Sequence, residues 1–263
     1  MSNSQATSPA LTLHGVSKTF LSKGRSVQAL APIDLTVARG EFVCFLGASG
    51  CGKSTLLSII AGLEAPTGGS VIAGESVVRG PGIDRVMMFQ EAALFPWLTV
   101  QGNVEFALKQ IGVSRRERAE QARSWIERVH LRGFENSPVH QLSGGMRQRV
   151  ALARSLAVDP DVLLMDEPFG ALDALTRDRL HVELESLWAA TGKTILFVTH
   201  NVREAVALGD RVLVFSPRPG RIVGEFCIDL PRPRLLEDVA VIAEAAKVMA
   251  VLRDAMSGDE GFL

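Results

Sequence analysis

A glycine-rich segment, residues 47–54, reads GASGCGKS and matches the phosphate-binding pattern G-x-x-x-x-G-K-[ST]. Glycines let the backbone bend tightly and bring its N–H groups close to a phosphate. Lys53 offers a point charge to the β- and γ-phosphates of a nucleotide, and the Ser54 hydroxyl can ligate Mg²⁺. A chance glycine-rich turn explains the pattern poorly, because a strand is predicted before it and a helix after it. The residues expected to bind the nucleotide here are Gly47, Ala48, Ser49, Gly50, Cys51, Gly52, Lys53, Ser54 and Thr55.

Two adjacent carboxylates, Asp166 and Glu167, follow the apolar run 162–165. Ligands gather at the carboxyl ends of parallel strands, and paired carboxylates are costly there unless they serve a cation or a proton. Asp166 suits an outer contact to Mg²⁺, and Glu167 suits a general base that polarises water. The alternative is a helix N-cap followed by a solvated glutamate. The phosphate loop upstream favours the metal and the base.

A second candidate anion site lies in the segment LSGGMRQR, residues 142–149. Ser143 can cap a helix there, while Gly144 and Gly145 expose backbone N–H groups at the helix N-terminus. On physical grounds alone an ordinary capped helix is the favoured interpretation. The residues at helical spacing that predict the buried face of this helix are Met146, Val150, Ala153 and Ala157.

Strands and helices alternate around these motifs, which predicts an α/β fold with a mostly parallel sheet. Short apolar or alternating runs predict strands over residues 11–20, 29–37, 41–46, 71–78, 86–89, 162–165, 195–198, 211–215 and 221–226. Helical spacing predicts helices over residues 53–61, 100–111, 114–129, 143–158, 175–190 and 235–256.

The order of these elements predicts three regions in the 263 residues. Residues 1–90 and 160–230 form a core that begins with antiparallel strands. Residues 91–159 form an inserted helical subdomain that carries Ser143. Residues 231–263 form a helical tail, which offers a small element for dimerisation or docking.

Composition excludes several classes of protein. A net charge of −1 gives no basic field for nucleic acid, and three scattered cysteines are too few for a disulfide framework or a zinc cluster. Residues 1–9 lack the basic and apolar regions of a signal peptide. Because the chain has no apolar run of about 18 residues, we expect no membrane span.

Taken in order, the motifs GASGCGKS, Gln90, LSGGMRQR, LLMDE, GALD and His200 resemble those of ABC ATPases. The resemblance runs from about residue 10 to about residue 230. It implies a P-loop NTPase with a RecA-like core, an N-terminal antiparallel β subdomain and an inserted helical subdomain. It also implies that two subunits, either two copies or close paralogues, enclose two ATP molecules. In that arrangement Ser143, Gly144 and Gly145 contact the nucleotide held by the partner.

The resemblance implies roles for single residues as well. Asp173 matches the loop that crosses the dimer interface, and His200 matches the switch histidine that contacts the γ-phosphate. Gln90 matches the glutamine that reaches Mg²⁺ and the attacking water, which makes Ser54, Gln90 and Asp166 the metal shell. Phe20 occupies the place of a ring that stacks on adenine, although a phenylalanine on a strand equally suits a core.

Several segments are most similar to ATPases of importers for nitrate, sulfonates and taurine, namely 80–82, 89–91, 94–97, 168–177 and 217–221. This resemblance implies ATP-driven uptake of a small anionic solute. A periplasmic protein would deliver the solute to a permease, and the ATPase would lie at the cytoplasmic face of the inner membrane. The alternatives are a soluble ABC ATPase that acts on a macromolecule, and a nucleotide-binding module without turnover. The presence of both Glu167 and His200 disfavours the latter.

The run LFPWL, residues 94–98, has two interpretations. Apolar side chains beside a proline predict an exposed patch that binds the permease. Alternatively, they pack inside the helical insertion. A separate expectation concerns Cys51, because a helix N-terminus lowers the pKa of a thiol: alkylation there should block ATPase activity, and Mg-ATP should protect the thiol.

Overall fold

The structure is a computed structural model that describes residues 8–22 and 24–257. Most of the polar segment 1–9, where no signal peptide is expected, lies outside the described residues. The strands are β1 (Leu11–Ser22), β2 (Arg25–Val37), β3 (Phe42–Leu46), β4 (Gly68–Ala73), β5 (Ser76–Val77), β6 (Arg85–Met88), β7 (Val162–Asp166), β8 (Thr194–Thr199), β9 (Arg211–Phe215) and β10 (Ile222–Cys227). The helices are α1 (Lys53–Ile60), α2 (Val100–Gln110), α3 (Arg115–Arg128), α4 (Gly144–Ala157), α5 (Ala174–Thr191), α6 (Val202–Leu208) and α7 (Val239–Ser257).

Two features differ from the expected elements. The single strand predicted over residues 71–78 is wrong, because Gly74 adopts φ 57° and turns the chain between β4 and β5. Helix α6 was not predicted. It has seven residues, and nearly all of them are buried, so it lacks the polar face that makes helical spacing visible.

The chain divides into two compact units. The first unit comprises residues 1–82 and 191–263, and the second comprises residues 83–190. The predicted helical insertion, 91–159, lies within the second unit. That unit also contains β6, β7 and α5.

The first unit contains two sheets. An antiparallel sheet has the strand order β2-β1-β4-β5, and the other sheet has the order β10-β9-β3-β8 within this unit. Strand β3 runs parallel to β8 and β9, and all five of its residues are buried. The Phe45 ring packs against Phe215 at a centroid distance of 5.3 Å. This strand therefore has a fixed end from which the phosphate loop departs.

Helix α7 completes the first unit. Its buried positions, Val241, Ala245, Val248 and Leu252, follow the helical spacing that predicted it. Upstream, the buried Arg234 guanidinium donates to the carbonyls of Val206 and Gly209 at 3.0 and 2.7 Å, which fixes the tail to the end of α6.

No helix within residues 8–22 and 24–257 combines the length and apolar character needed to cross a membrane.

The second unit pairs β6 with β7 in parallel and packs α2, α3 and α4 together. Ser114 and Glu117 form a capping box at the start of α3. The fully buried residues at the centre of the helices are Val100, Val104, Leu108, Ala122, Ile126, Val150 and Ala153.

We expect Leu108→Ala to lower the free energy of unfolding of the second unit by about 2–5 kcal/mol, because it opens a cavity in this core. The exposed neighbour provides a control, since Lys109→Ala should change it by less than about 0.5 kcal/mol. Tryptophan fluorescence during urea unfolding measures this directly, since Trp97, Trp125 and Trp188 all lie in the second unit. Equal losses for the two variants would contradict this account of the core.

Candidate functional site

The phosphate loop, residues 47–52, joins β3 to α1 in the first unit. Gly52 is the N-cap of α1 with φ 104°, and no side chain caps the helix. The first backbone N–H groups of a helix have no intrahelical acceptor and lie at the positive end of the helix dipole, so the N-terminus of α1 suits an anion. Within the loop, Gly47 is buried, whereas Ser49 and Gly50 are exposed.

Lys53 is held inside its own loop. Its side chain is buried, and Nζ donates to the carbonyls of Gly47 and Ala48, each at 2.8 Å. Nζ also lies 3.5 Å from the Cys51 Sγ. The ammonium charge is thus directed by backbone carbonyls and has no carboxylate among these contacts, which suits it to an incoming phosphate.

The cysteines differ sharply in exposure. Cys51 in the phosphate loop is 1% exposed and Cys44 on β3 is fully buried, whereas Cys227 on β10 is exposed. Burial raises the pKa of the Cys44 thiol well above its usual value, with a smaller contribution from the Glu204 carboxylate. A thiol reagent should therefore reach Cys227 first.

Phe20 lies on β1, and its ring is 40% exposed, so it does not belong to the core. Lys18 Nζ lies 5.0 Å from the ring centroid, a cation–π distance. Lys18 is itself fixed, because Nζ donates to Glu64 Oε1 at 2.5 Å and to the Ala65 carbonyl at 2.6 Å. The structure thus gives Phe20 an exposed ring backed by a cation.

His200 is exposed and follows the buried strand β8. The turn that carries it is braced on both sides. Thr199 donates its hydroxyl to the buried Glu204 carboxylate, and the Asn201 N–H donates to Thr199 Oγ1 at 3.0 Å. Asn201 Oδ1 then caps α6 by accepting from the N–H groups of Arg203 and Glu204. Sequence reasoning found His200 but missed these supports.

In the second unit, the structure brings Gln90 and Glu167 together. A methyl group built on Gly170 would lie 3.4 Å from Gln90 Nε2 and 3.6 Å from Glu167 Oε2, so both side chains converge over this glycine. Glu167 follows β7, whose last residue, Asp166, is half-buried.

The backbone of Glu167 has φ 43°, in the left-handed region that non-glycine residues rarely adopt. Such a conformation costs of order 1–3 kcal/mol and persists where the surroundings impose it, often at functional sites. The residue types around position 167 did not predict a positive φ there. The strained backbone is consistent with a functional role for the direction in which the Glu167 side chain points.

Ser143 caps α4, since its Oγ accepts from the Met146 N–H at 3.2 Å. The predicted helix cap is therefore present, and the second anion site at this helix N-terminus stays a prediction. Gly145 is buried and Gly144 is half-buried, and both glycines allow the close approach of another segment. A methyl group on Gly145 would lie 2.5 Å from Thr176 Cγ2, and one on Gly144 would lie 3.1 Å from Leu172 Cδ2. Sequence reasoning missed this close approach.

Asp173 lies in the same segment as Leu172 and Thr176. Its Oδ1 accepts from the Thr176 N–H at 3.0 Å, and this bond lowers the pKa of the exposed carboxyl. The structure therefore brings Ser143, the two glycines and the Asp173 segment together at the start of α4.

Helix α4 also holds the chain that follows Gln90. Gln148 Nε2 donates to the Gln90 carbonyl at 2.8 Å, and Arg154 donates to the carbonyls of Ala92 and Ala93 at 3.1 and 2.8 Å. A cavity of about 640 Å³ opens between these segments. Its lining residues are Gln90, Glu91, Ala92, Ala93, Leu94, Val139, Gly144, Arg147, Gln148, Ala171 and Leu172.

The apolar run 94–98 divides between its two interpretations. Leu94 packs against the helical core, and the Phe95 ring lies 4.4 Å from that of Phe106. The fully buried Asn103 fixes this segment by accepting from the Phe95 N–H at 2.8 Å. In contrast, Trp97 is 76% exposed. Only part of the run is therefore a surface patch.

The chain is similar to known proteins over most of its length. A family model described as ABC transporter matches residues 30–170. The taurine import ATP-binding protein TauB of Burkholderia pseudomallei is 51% identical over 82% of this chain and 84% of its own. The nitrate import ATP-binding protein NrtD of Synechocystis is 51% identical over 84% of this chain and 83% of its own. A dimeric structure of the ATP-binding cassette MJ0796 with ADP and Pi has a TM-score of 0.75 and 33% identity, covering 84% of this chain and all of that one.

The exposures of the thiols predict the order of alkylation by N-ethylmaleimide. We expect Cys227 to react first without loss of ATPase activity, and Cys51 to react at least about tenfold more slowly. Loss of activity should follow the modification of Cys51, and ATP with Mg²⁺ should slow both. Peptide mass spectrometry beside an activity assay measures this, with Cys227→Ser as the control that inactivates at the same rate. Full modification of Cys51 with retained ATPase activity would contradict the prediction.

Proposed function

Because this chain belongs to the family of ABC transporter ATP-binding proteins, we propose that its ATPase activity drives the uptake of a small anionic solute. The observation that carries the proposal is the similarity to TauB and NrtD over more than four-fifths of each chain. Taurine carries a sulfonate and nitrate is an anion, so the two named solutes share a charged oxyanion group. The choice of solute itself belongs to the partner proteins.

We propose that two copies of the chain enclose two ATP molecules. Each ATP would bind the phosphate loop of one copy and the N-terminus of α4 of the other. The exposed Ser143 and the helix dipole behind it support this role, since a helix N-terminus favours an anion. The MJ0796 cassette, which resembles this chain, forms a dimer.

In the hydrolysis we propose, Glu167 accepts a proton from a water molecule as the water oxygen bonds to the γ-phosphorus. The bond from that phosphorus to the bridging oxygen breaks, and ADP leaves with the electron pair. Lys53 and the first N–H groups of α1 stabilise the charge on the phosphate oxygens. Gln90 beside Glu167 orients the water, and His200 contacts the γ-phosphate.

The proposed metal is Mg²⁺, bound with the nucleotide by Ser54, Gln90 and Asp166. A hydroxyl, an amide oxygen and a carboxylate are hard oxygen donors, which fit this ion. In the described ranges no group of three or more His, Cys, Asp or Glu is placed to hold a metal. A nucleotide-bound Mg²⁺ takes much of its coordination from phosphates and water, so it needs few protein ligands. The ion would neutralise phosphate charge during transfer.

We propose that the second unit also binds the permease. The cavity beside Gln90 and the exposed Trp97 lie along one segment, residues 90–97. Helix α4 bonds to the first part of this segment, and Asn103 bonds to Phe95 within it. A permease helix seated there would pull on the chain that carries Gln90. This would place the protein at the cytoplasmic face of the membrane through its partner, with a periplasmic binding protein on the far side.

Glu167→Gln tests the chemistry. We expect ATP binding within about threefold of the original, because the amide keeps the shape of the side chain, and turnover at least about 100-fold slower, because the base is lost. ATP should also trap a dimer in size-exclusion chromatography. Glu120→Gln on the exposed face of α3 is the matched control with normal turnover. Normal hydrolysis by the Glu167 variant would refute its role as base.

A pull-down of tagged protein from detergent-solubilised membranes tests the transport proposal. We expect a protein with several membrane spans to co-purify, and Trp97→Ala to weaken its capture at least about fivefold, as loss of an aromatic anchor does. ATPase activity of the isolated variant should not change, and Val182→Ala, another exposed apolar truncation, should capture normally. Recovery of soluble macromolecular partners only would favour a non-transport ABC ATPase.

A further inference from the structure

The turn between β9 and β10, residues 216–221, lies directly against the phosphate loop. The turn is closed by its own bonds, since the Ser216 N–H donates to the Arg221 carbonyl at 3.0 Å and the Arg221 N–H donates to Ser216 Oγ at 3.3 Å. Gly220 ties it to β2, donating to the Ala29 carbonyl at 2.9 Å and accepting from the Ala31 N–H at 3.0 Å. The turn is therefore a fixed surface.

Two consecutive carbonyls of the phosphate loop face this surface. The Arg218 guanidinium donates to the Gly50 carbonyl at 3.1 Å. The Cys51 carbonyl rests on Gly220 so closely that a methyl group on Gly220 would lie 2.0 Å from its oxygen. One carbonyl is thus held by a charged hydrogen bond and the next by close packing.

The orientation of each of these carbonyls fixes the orientation of the N–H group of the following residue. In a trans peptide the C=O and N–H groups point to opposite sides. If the Gly50 carbonyl faces the turn, the Cys51 N–H faces away from it, and the Cys51 carbonyl directs the Gly52 N–H in the same manner. Gly50 and Gly52 have φ values of 78° and 104°, which lets successive N–H groups converge into an anion-binding nest.

We propose that Arg218 is a positioning residue for phosphate binding: it holds the Gly50 carbonyl so that the Cys51 N–H faces the nucleotide. The inference rests on the proposed binding of ATP at the phosphate loop. Arg218 acts through the loop and touches no reacting atom. Its side chain is exposed, so its loss should leave the folded unit intact.

Three variants separate the hydrogen bond from the charge. Arg218→Ala removes both, Arg218→Lys keeps a charged donor of similar reach, and Arg221→Ala removes an equal charge from the same turn. We expect Arg218→Ala to bind ADP and Mg-ATP about 5- to 30-fold more weakly, the effect of losing one charge-assisted bond. Arg218→Lys should stay within about threefold and Arg221→Ala within about twofold, because neither removes the donor at position 218. Isothermal titration calorimetry measures the affinities.

Steady-state kinetics supply a second readout. Because the bond prepares the loop without entering the chemical step, Arg218→Ala should raise KM while kcat at saturating ATP stays within about twofold. Thermal unfolding of each variant without nucleotide checks that the fold is retained.

A direct view of the donor comes from ¹⁵N-cysteine labelling, since the chain has only three cysteines. The Cys51 amide signal, assigned with Cys51→Ser, should move on addition of ADP in the unmodified chain. At saturating ADP the shift should be clearly smaller in Arg218→Ala and close to the original in Arg218→Lys.

Normal affinity in Arg218→Ala would overturn the inference, and so would an equal loss in Arg221→Ala. An unchanged Cys51 shift in Arg218→Ala would also overturn it. Failure of the proposed function looks different, because the unmodified chain would then bind no ATP.

Discussion

The phosphate loop and the start of α1 direct several backbone N–H groups toward one point, and no side chain caps the helix. The rest of the structure depends on this constraint. The fully buried β3 fixes where the phosphate loop begins, and the apolar face of α1 fixes where it ends. Between them, Lys53 is gripped by the carbonyls of Gly47 and Ala48. Polar backbone groups in this position gain little from one another, so the surrounding core must hold them in place.

The second unit solves a related problem with contacts between segments. Helix α4 holds the carbonyls of the chain after Gln90, and its first glycines admit the segment that contains Asp173. Helix α4 therefore contacts both the segment after Gln90 and the segment that contains Asp173. Such contacts would link the proposed nucleotide site to the proposed permease-binding surface of the same unit.

The sequence predicted the phosphate loop, the paired carboxylates and most strands and helices, because these depend on local spacing and apolar pattern. It did not predict α6, which is buried on nearly every side, or the turn at Gly74, which lacks a strong turn signature. The bent backbone of Glu167 and the contact between Gly145 and Thr176 also escaped it. The contact between Gly145 and Thr176 joins segments that are distant in sequence, so no window of sequence contains it, and a positive φ at a glutamate has no residue-type signature.

The contact between Gly145 and Thr176 has a consequence for how such chains diverge. With 2.5 Å between a built methyl group and Thr176 Cγ2, the two positions share one volume. A lineage that places alanine at 145 must shorten the side chain at 176 or shift the backbone between them. Substitutions at these two positions should therefore appear in descent as a coupled pair, and a glycine there should persist for as long as a branched side chain faces it.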